Sequence, residues 1–283
     1  MIEVRKNILK KIYKKRKPST HKYDFGSLLI IGGSKLYSGS PAFAALSAIA
    51  AYRTGVDLVT VAAPERAANI VASFSPDMIT YPLKGNYIAK THLKELFYLA
   101  ENKSAIVIGG GIERRKETLS TVAAFLKKIT LPCVIDADAI HAVTKNKKII
   151  ANKKFVITPH PHEFYILTNK KTEKTRLEKR IKVVKESAQK LKTTILLKGH
   201  VDIISNGKKT AINKTGSPFM SVGGTGDTLV GILGSLLAQG IDTFTATCAA
   251  AYINGKAGEI VAKEKKQTMI ASDLIKAIVK VIT

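Results

Sequence analysis

Five times along the chain a run of three to five mostly apolar residues breaks off into glycine or into a polar cluster. Ser27–Ile31 runs into Gly32-Gly33-Ser34, and Ala105–Ile108 into Gly109-Gly110-Gly111. Cys133–Ile135 ends at Asp136, Phe155–Ile157 at Thr158-Pro159-His160, and Ile195–Leu197 at Lys198-Gly199. Leu58–Ala62 adds a sixth run. Runs this short and continuously apolar are strands covered on both faces, as in a parallel sheet flanked by helices. The fold class expected is α/β, with a mostly parallel central sheet and helices on both faces. The polar and glycine residues all follow their strands, so they share the carboxyl edge of the sheet, where open α/β folds bind ligands.

The connecting segments carry helix signals. Residues 5–17 read as a basic helix with Ile8, Leu9 and Ile12 on one side, stopped by Pro18. Gly39-Ser40-Pro41 opens an Ala-rich helix, with Ser40 as N-cap, Pro41 at the first helical position and Gly55 after the last turn. Residues 173–191 form a charged amphipathic helix, and three more helices lie near 224–239, 242–262 and 271–282. Val201–Ser205 and Lys209–Asn213 flank Asn206-Gly207 as a hairpin. No long linker or repeat divides the chain. The organisation expected is a basic extension over residues 1–20 and one domain over 21–283.

Charge is the other conspicuous property. The chain has 46 Lys and Arg against 21 Asp and Glu, a net +25 over 283 residues. Such a balance suggests nucleic acid or an acidic surface. The segments 24–63, 104–112, 131–143, 155–167, 194–205 and 216–260 hold four basic and nine acidic residues, a net of −5, which leaves +30 for the rest. The excess is therefore peripheral. No basic segment has the aromatic interleaving of a stacking platform, and no apolar run is long enough to span a membrane. Cys133 and Cys248 both sit in apolar runs, the pattern of small buried thiols in a reduced, cytoplasmic protein.

Gly223-Gly224-Thr225-Gly226-Asp227 opens an apolar helix. Glycines let backbone N–H groups approach an anion, and a helix N-terminus favours negative charge, so a phosphate is the natural guest. A carboxylate in that first turn would repel phosphate. It makes sense as a base for a hydroxyl that attacks phosphorus, although a plain helix-capping role also remains open. The chain contains neither a P-loop nor a dinucleotide fingerprint.

This turn is similar to that of ribokinase-like small-molecule kinases. His21-Lys22-Tyr23-Asp24-Phe25-Gly26, Ile30 to Ser34, Tyr37-Ser38-Gly39-Ser40-Pro41, Asp136 to Ala139, Thr158-Pro159-His160-Pro161, Leu197-Lys198-Gly199 and Gly223 to Asp227 together resemble the NAD(P)H-hydrate dehydratases. The blocks run in the family's order over about residues 16 to 260. The resemblance implies a ribokinase-like three-layer fold. It implies dehydration of the S epimer of hydrated NADH and NADPH, driven by ADP or ATP with Mg²⁺. The hydrate hydroxyl is phosphorylated and phosphate then leaves. It also implies a homotetramer, and places hydrate epimerisation on a separate chain.

By the same resemblance, Asp227 is the catalytic base and contacts the hydrate together with Ser40, Ala42, Gly109, Gly111 and His160. Lys198, Gly199, His200, Val201, Asp202, Gly223, Gly224, Thr225, Gly226 and Asn254 hold the nucleotide, with Asp202 standing where many relatives have Thr. Asp136 and Glu163 lie near magnesium and phosphate. His160-x-His162 beside Glu163 could hold a transition metal. His21, His92, His141 and His200 form no second paired motif, so none is expected. Two other readings stay open. One is a kinase of the same fold that releases a phosphorylated hydroxymethylpyrimidine or hydroxyethylthiazole. The other is a nucleic-acid-binding protein that uses the positive charge.

Overall fold

The computed structural model describes residues 1–13, 15–42 and 54–283. One ten-stranded sheet runs through it. The strands are β1 (Ile2–Glu3), β2 (Ser27–Ile31), β3 (Leu58–Pro64), β4 (Ile79–Leu83), β5 (Ala105–Ile108), β6 (Cys133–Ile135), β7 (Phe155–Ile157), β8 (Thr194–Leu197), β9 (Asp202–Ser205) and β10 (Thr210–Asn213). Their spatial order is β1-β10-β9-β8-β7-β6-β5-β2-β3-β4. From β4 to β8 every pairing is parallel, and β9 runs antiparallel to both β8 and β10.

The period of two along each strand builds the three layers. Leu28 and Ile30 of β2 face one apolar cluster, while Leu29 and Ile31 face the other. The first cluster is closed by α8 (Thr225–Ala238), α9 (Thr243–Lys265) and α10 (Ala271–Ile282), together with α1 (Asn7–Ile12). The second is closed by α3 (Leu93–Glu101), α4 (Lys116–Lys128), α5 (Asp138–Thr144), α6 (Pro161–Thr168) and α7 (Leu177–Leu191). Helix α2 (Glu65–Ala72) joins β3 to β4 and packs on the first cluster. Leu28 and Leu29 are both fully buried, so β2 is covered on each face. The contiguous apolar reading of the strands rests on that fact.

Several expectations shift. The N-terminal helix is α1 alone, six residues rather than thirteen. Tyr13 is already extended, and Arg16 stacks 3.7 Å over the Phe25 ring and donates to the Gly55 carbonyl, which holds the following chain against the body. Before α1, β1 pairs with β10 in parallel, with Ile2 opposite Ala211. Helix α7 starts at Leu177, four residues later than expected. The Ala-rich helix begins at residues 39–42, and the rest of that expectation lies outside the described residues. The hairpin and the three C-terminal helices form where the spacing placed them.

Candidate active site

The chain winds from β2 outward to β4, then returns to place β5 on the other side of β2. A crevice opens at such a reversal, beyond the carboxyl ends of the two strands. There the Gly33 N–H donates to the Gly110 carbonyl at 2.7 Å. Two glycines of the β5 turn are required by close approach. Gly109 has φ +136°, and a Cβ on it would lie 1.8 Å from the Asp136 carbonyl oxygen. A Cβ on Gly110 would lie 2.1 Å from Ser40 Oγ. Bare backbone at 110 is what lets Ser40 stand where it does.

Ser40 is not an N-cap. It lies inside the helical turn of residues 39–42, and its Oγ donates to Asp227 Oδ1. Asp227 sits in the first turn of α8, whose N-cap is Gly224. Burial pushes its carboxyl up to about 6; the Ser40 hydrogen bond opposes that, Asp136 adds to it, and Lys198 opposes it. The group is thus poised to exchange a proton near neutral pH.

Beside it lies a charged cluster drawn from three strand ends. Asp136 Oδ1 accepts from Lys198 Nζ at 2.8 Å and from Thr158 Oγ1 at 2.6 Å. Lys198 Nζ also lies 4.0 Å from Glu163 Oε2, and 3.6 Å from where a Cβ on Gly226 would stand. Burial alone would lower the Lys198 ammonium, but Asp136 and Glu163 outweigh it and keep the group charged. Glu163 is raised by its own burial against the pull of Lys198. Glu163 Oε2 accepts the His160 N–H at 2.8 Å, and His160 Nδ1 accepts from the His162 and Glu163 N–H groups in return. This reciprocal box starts α6 with Pro161 at its first position. It also sets the tautomer: Nδ1 is the acceptor, so Nε2 carries the proton of the neutral ring. Burial, then Lys198, keeps that ring neutral by lowering its pKa.

Two clefts lie beside these groups, the first lined by Ser40 and the second by Lys198. The first, of about 750 Å³, is lined by Tyr37, Ser40, Gly111, Arg114 and Asp138 among others. The second, of about 440 Å³, is lined by Lys198, Gly199, His200, Asp202, Thr225, Gly226 and Asn254, together with Lys214, Thr215 and Gly216. Ser40 lines the first cleft, and its partner Asp227 directly follows Gly226, which lines the second. Asp202 turns inward: Oδ1 accepts the Gly199 N–H at 3.0 Å and Oδ2 accepts from Asn213 Nδ2 at 3.1 Å. Burial raises its carboxyl to about 6 against those two hydrogen bonds. Asn254 reaches the second cleft but spends both polar atoms on α8, accepting from Thr228 Oγ1 and donating to the Thr225 carbonyl.

Ala42, Gly109, Val201, Gly223 and Gly224 do not line either cleft, and Asp136, His160, Glu163 and Asp227 stand behind the lining residues. Ala42 is buried, and Gly109 serves the packing of β5 on β6. Sequence reasoning missed Lys214, Thr215 and Gly216; their one signal is a Thr-Gly pair directly after an apolar strand. It also missed Arg114, whose Nε donates to Asp138 Oδ1 at 2.8 Å across the mouth of the first cleft. No group of three or more His, Cys, Asp or Glu that could hold a metal occurs among the described residues.

A family model for NAD(P)H-hydrate dehydratase matches residues 28–280. A bifunctional NAD(P)H-hydrate repair enzyme of Pyrobaculum aerophilum is 40% identical over 269 residues, 94% of this chain and 52% of that protein. An ADP-dependent (S)-NAD(P)H-hydrate dehydratase of Nitrosopumilus maritimus is 35% identical over 271 residues, 95% of this chain and 92% of that one. The chain thus spans about half the length of the bifunctional relative and nearly all of the second. The ADP/ATP-dependent NAD(P)H-hydrate dehydratase from Bacillus subtilis, co-crystallised with ATP and Mg²⁺, superposes with a TM-score of 0.84 at 25% identity, covering 99% of this chain and 97% of that one. Arabidopsis thaliana ribokinase superposes at 0.59 with 12% identity, so the fold is ribokinase-like. With its model match, its relatives and its fold in agreement, the chain belongs to the NAD(P)H-hydrate dehydratase family.

Proposed function

We propose that the protein restores NADH and NADPH from the S epimers of their hydrates, with ADP or ATP as phosphoryl donor. The observation that carries this reading is the Ser40–Asp227 bond at the junction of the two clefts. A hydroxyl held in the first cleft meets a raised carboxylate, and a phosphate held in the second meets Lys198 and the start of α8. Asp227 takes the proton of the hydrate hydroxyl as its oxygen attacks the terminal phosphorus and the bond to the nucleotide breaks. The phosphate then leaves the ring carbon while the neighbouring carbon gives up a proton, which restores the double bond. Ser40 hands its acceptor, Asp227, over to the substrate hydroxyl and fixes the carboxylate's orientation.

Lys198 and the N–H groups at Gly223 to Gly226 receive the transferred phosphate, and Gly199, His200 and Asp202 shape the nucleotide side. Val201 supports this loop through its carbonyl, which accepts from Arg180 at 3.5 Å. His160, Ala42, Gly109 and Gly111 support the hydrate side, and Asn254 anchors the start of α8.

Mg²⁺ fits this site as a guest of the nucleotide. Asp136 meets Lys198 and Thr158 through Oδ1, while Glu163 has Oε2 on the His160 N–H and Oε1 3.4 Å from His160 Nε2, so Asp136 would be the carboxylate nearest to holding the ion or its water; Mg²⁺ is commonly held by one or two carboxylates plus phosphates. When bound, it neutralises charge that develops on the phosphates. We read residues 21–283 as one catalytic unit with the first twenty residues as an extension, and the protein as a cytoplasmic homotetramer. Sedimentation would test the last point. The function is tested by Asp227→Asn. The variant should keep its fold and nucleotide affinity, yet lose about 10²–10⁴ in kcat, the usual contribution of a general base. A folded variant with near-normal kcat would refute the role.

A further inference from the structure

Along α9, apart from the second cleft, four lysines line one hollow of about 210 Å³. Lys256 and Lys263 are seven residues apart on α9 and so share a helix face. Lys280 comes from α10 and Lys6 from the residue before α1. One carboxylate, Glu259, faces them, and it is paired with Lys256 at 2.6 Å. Among the described residues Lys6, Lys263 and Lys280 make no ion pair. Four ammonium groups and one carboxylate leave the hollow at about +3. Like charges held on a concave, partly apolar surface repel one another and concentrate a positive potential there. Tyr252, buried on α9, forms part of the floor.

The hollow shares no lining residue with the second cleft. Gly255 and Gly258 sit on the adjoining face of α9, so tight against the loop after β10 that a Cβ on either would lie about 2 Å from Thr215 or Met220. Glu259 reaches that loop with its other oxygen, accepting the Gly216 N–H at 3.1 Å. One carboxylate therefore spans from the lysine cluster to the wall of the cleft.

We propose that this hollow is a second anion site that takes a di- or triphosphate group between the four ammonium groups. Several converging Lys donors suit an anion with many acceptor oxygens and more than one charge, and they give no planar fork that would favour a lone carboxylate. The volume admits one such group and no base or ring beside it.

The test is calorimetric titration of inorganic pyrophosphate into the full-length protein, with and without saturating ADP, for wild type and for the double variant Lys263→Gln, Lys280→Gln. Both lysines are exposed and outside the proposed catalytic machinery. With ADP saturating, the wild type should still bind one pyrophosphate; without ADP a second can enter the phosphate position of the second cleft. The variant should bind it at least tenfold more weakly while its ADP affinity stays within about twofold. With ADP saturating, pyrophosphate should also raise the wild-type melting midpoint further and shift that of the variant much less. Equal affinity in the two proteins, or wild-type binding that vanishes when ADP is present, would overturn the site. Absence of ADP binding would count against the proposed function instead, since the pyrophosphate comparison is then read without it.

Discussion

At the scale of single residues, the account rests on three carboxylates and one ammonium placed where water is scarce. Asp227, raised to about 6 by burial, must be ionised to act as a base. Its kcat/KM profile should therefore fall roughly tenfold per pH unit below about pH 6. The same shift has a cost in stability. The folded-state pKa lies above the unfolded value, so stability is fullest below about pH 4 and is lost as pH rises through about 6. Asp227→Asn should accordingly melt at a temperature equal to or above wild type at pH 8, and the gap should narrow at pH 5 and close only below about pH 4, as thermal unfolding across that range would show. Lys198 is the converse case. Its removal leaves Asp136 and Glu163 buried without their cation, so Lys198→Met should cost about 3 kcal/mol in thermal or denaturant unfolding, and Lys198→Arg, which keeps the charge, should cost much less. Equal loss in the two variants would point to lost packing.

Asp227, Lys198, Asp136, Glu163 and His160 were legible in the sequence because each ends a strand or opens a helix. The bond between Ser40 and Asp227 was not. Ser-Pro at a helix start fits an N-cap equally well, and nothing in sequence shows which of two roles a hydroxyl takes when its partner is 187 residues away.

Among the elements, turns decide more than strands or helices do. The β5 turn holds Gly110 against Ser40, so Gly110→Ala should push the Ser40 hydroxyl off Asp227. A Cβ that must sit 2.1 Å from an oxygen forces one group to move, and here the movable group belongs to the site. The expected outcome is a melting midpoint within a few degrees of wild type and a kcat reduced tenfold or more. An unchanged kcat would mean that Ser40 does not position the base. Strands β2, β3 and β5 to β8 were readable because burial on both faces makes them continuously apolar. Two strands escaped for physical reasons. β1 is two residues long and draws its stability from the ready-made edge of β10. β4 lies on the other edge, carries Pro82 and is partly exposed, so it lacks the signature of a buried strand. Helix α1 stopped early because its Lys-rich sequence has no acidic i+4 partners to prolong it, while Arg16 finds Phe25 instead.

For the whole molecule, +25 resolves into a nearly neutral interior edge and a basic periphery. Dinucleotide and nucleotide are both anionic, so the outer charge should draw them in at long range. KM for either should rise several-fold between about 10 and 300 mM salt as the Debye length shrinks, with kcat little changed. Salt-independent KM values would confine the charge to solubility. The order of the strands, with its reversal at β2 and β5, was beyond the sequence, since nothing local says on which side of β2 the returning strand will lie. That reversal nonetheless sets where the first cleft opens, and through Gly110 and Ser40 it brings that cleft to Asp227.

The central claim is most directly tested by mixing the protein with the S epimer of hydrated NADH and following the dihydronicotinamide absorbance with ADP and, in parallel, with ATP. The account predicts recovery with at least one nucleotide by the wild type, and its near-complete loss in a folded Asp227→Asn variant. No recovery with either nucleotide would contradict it.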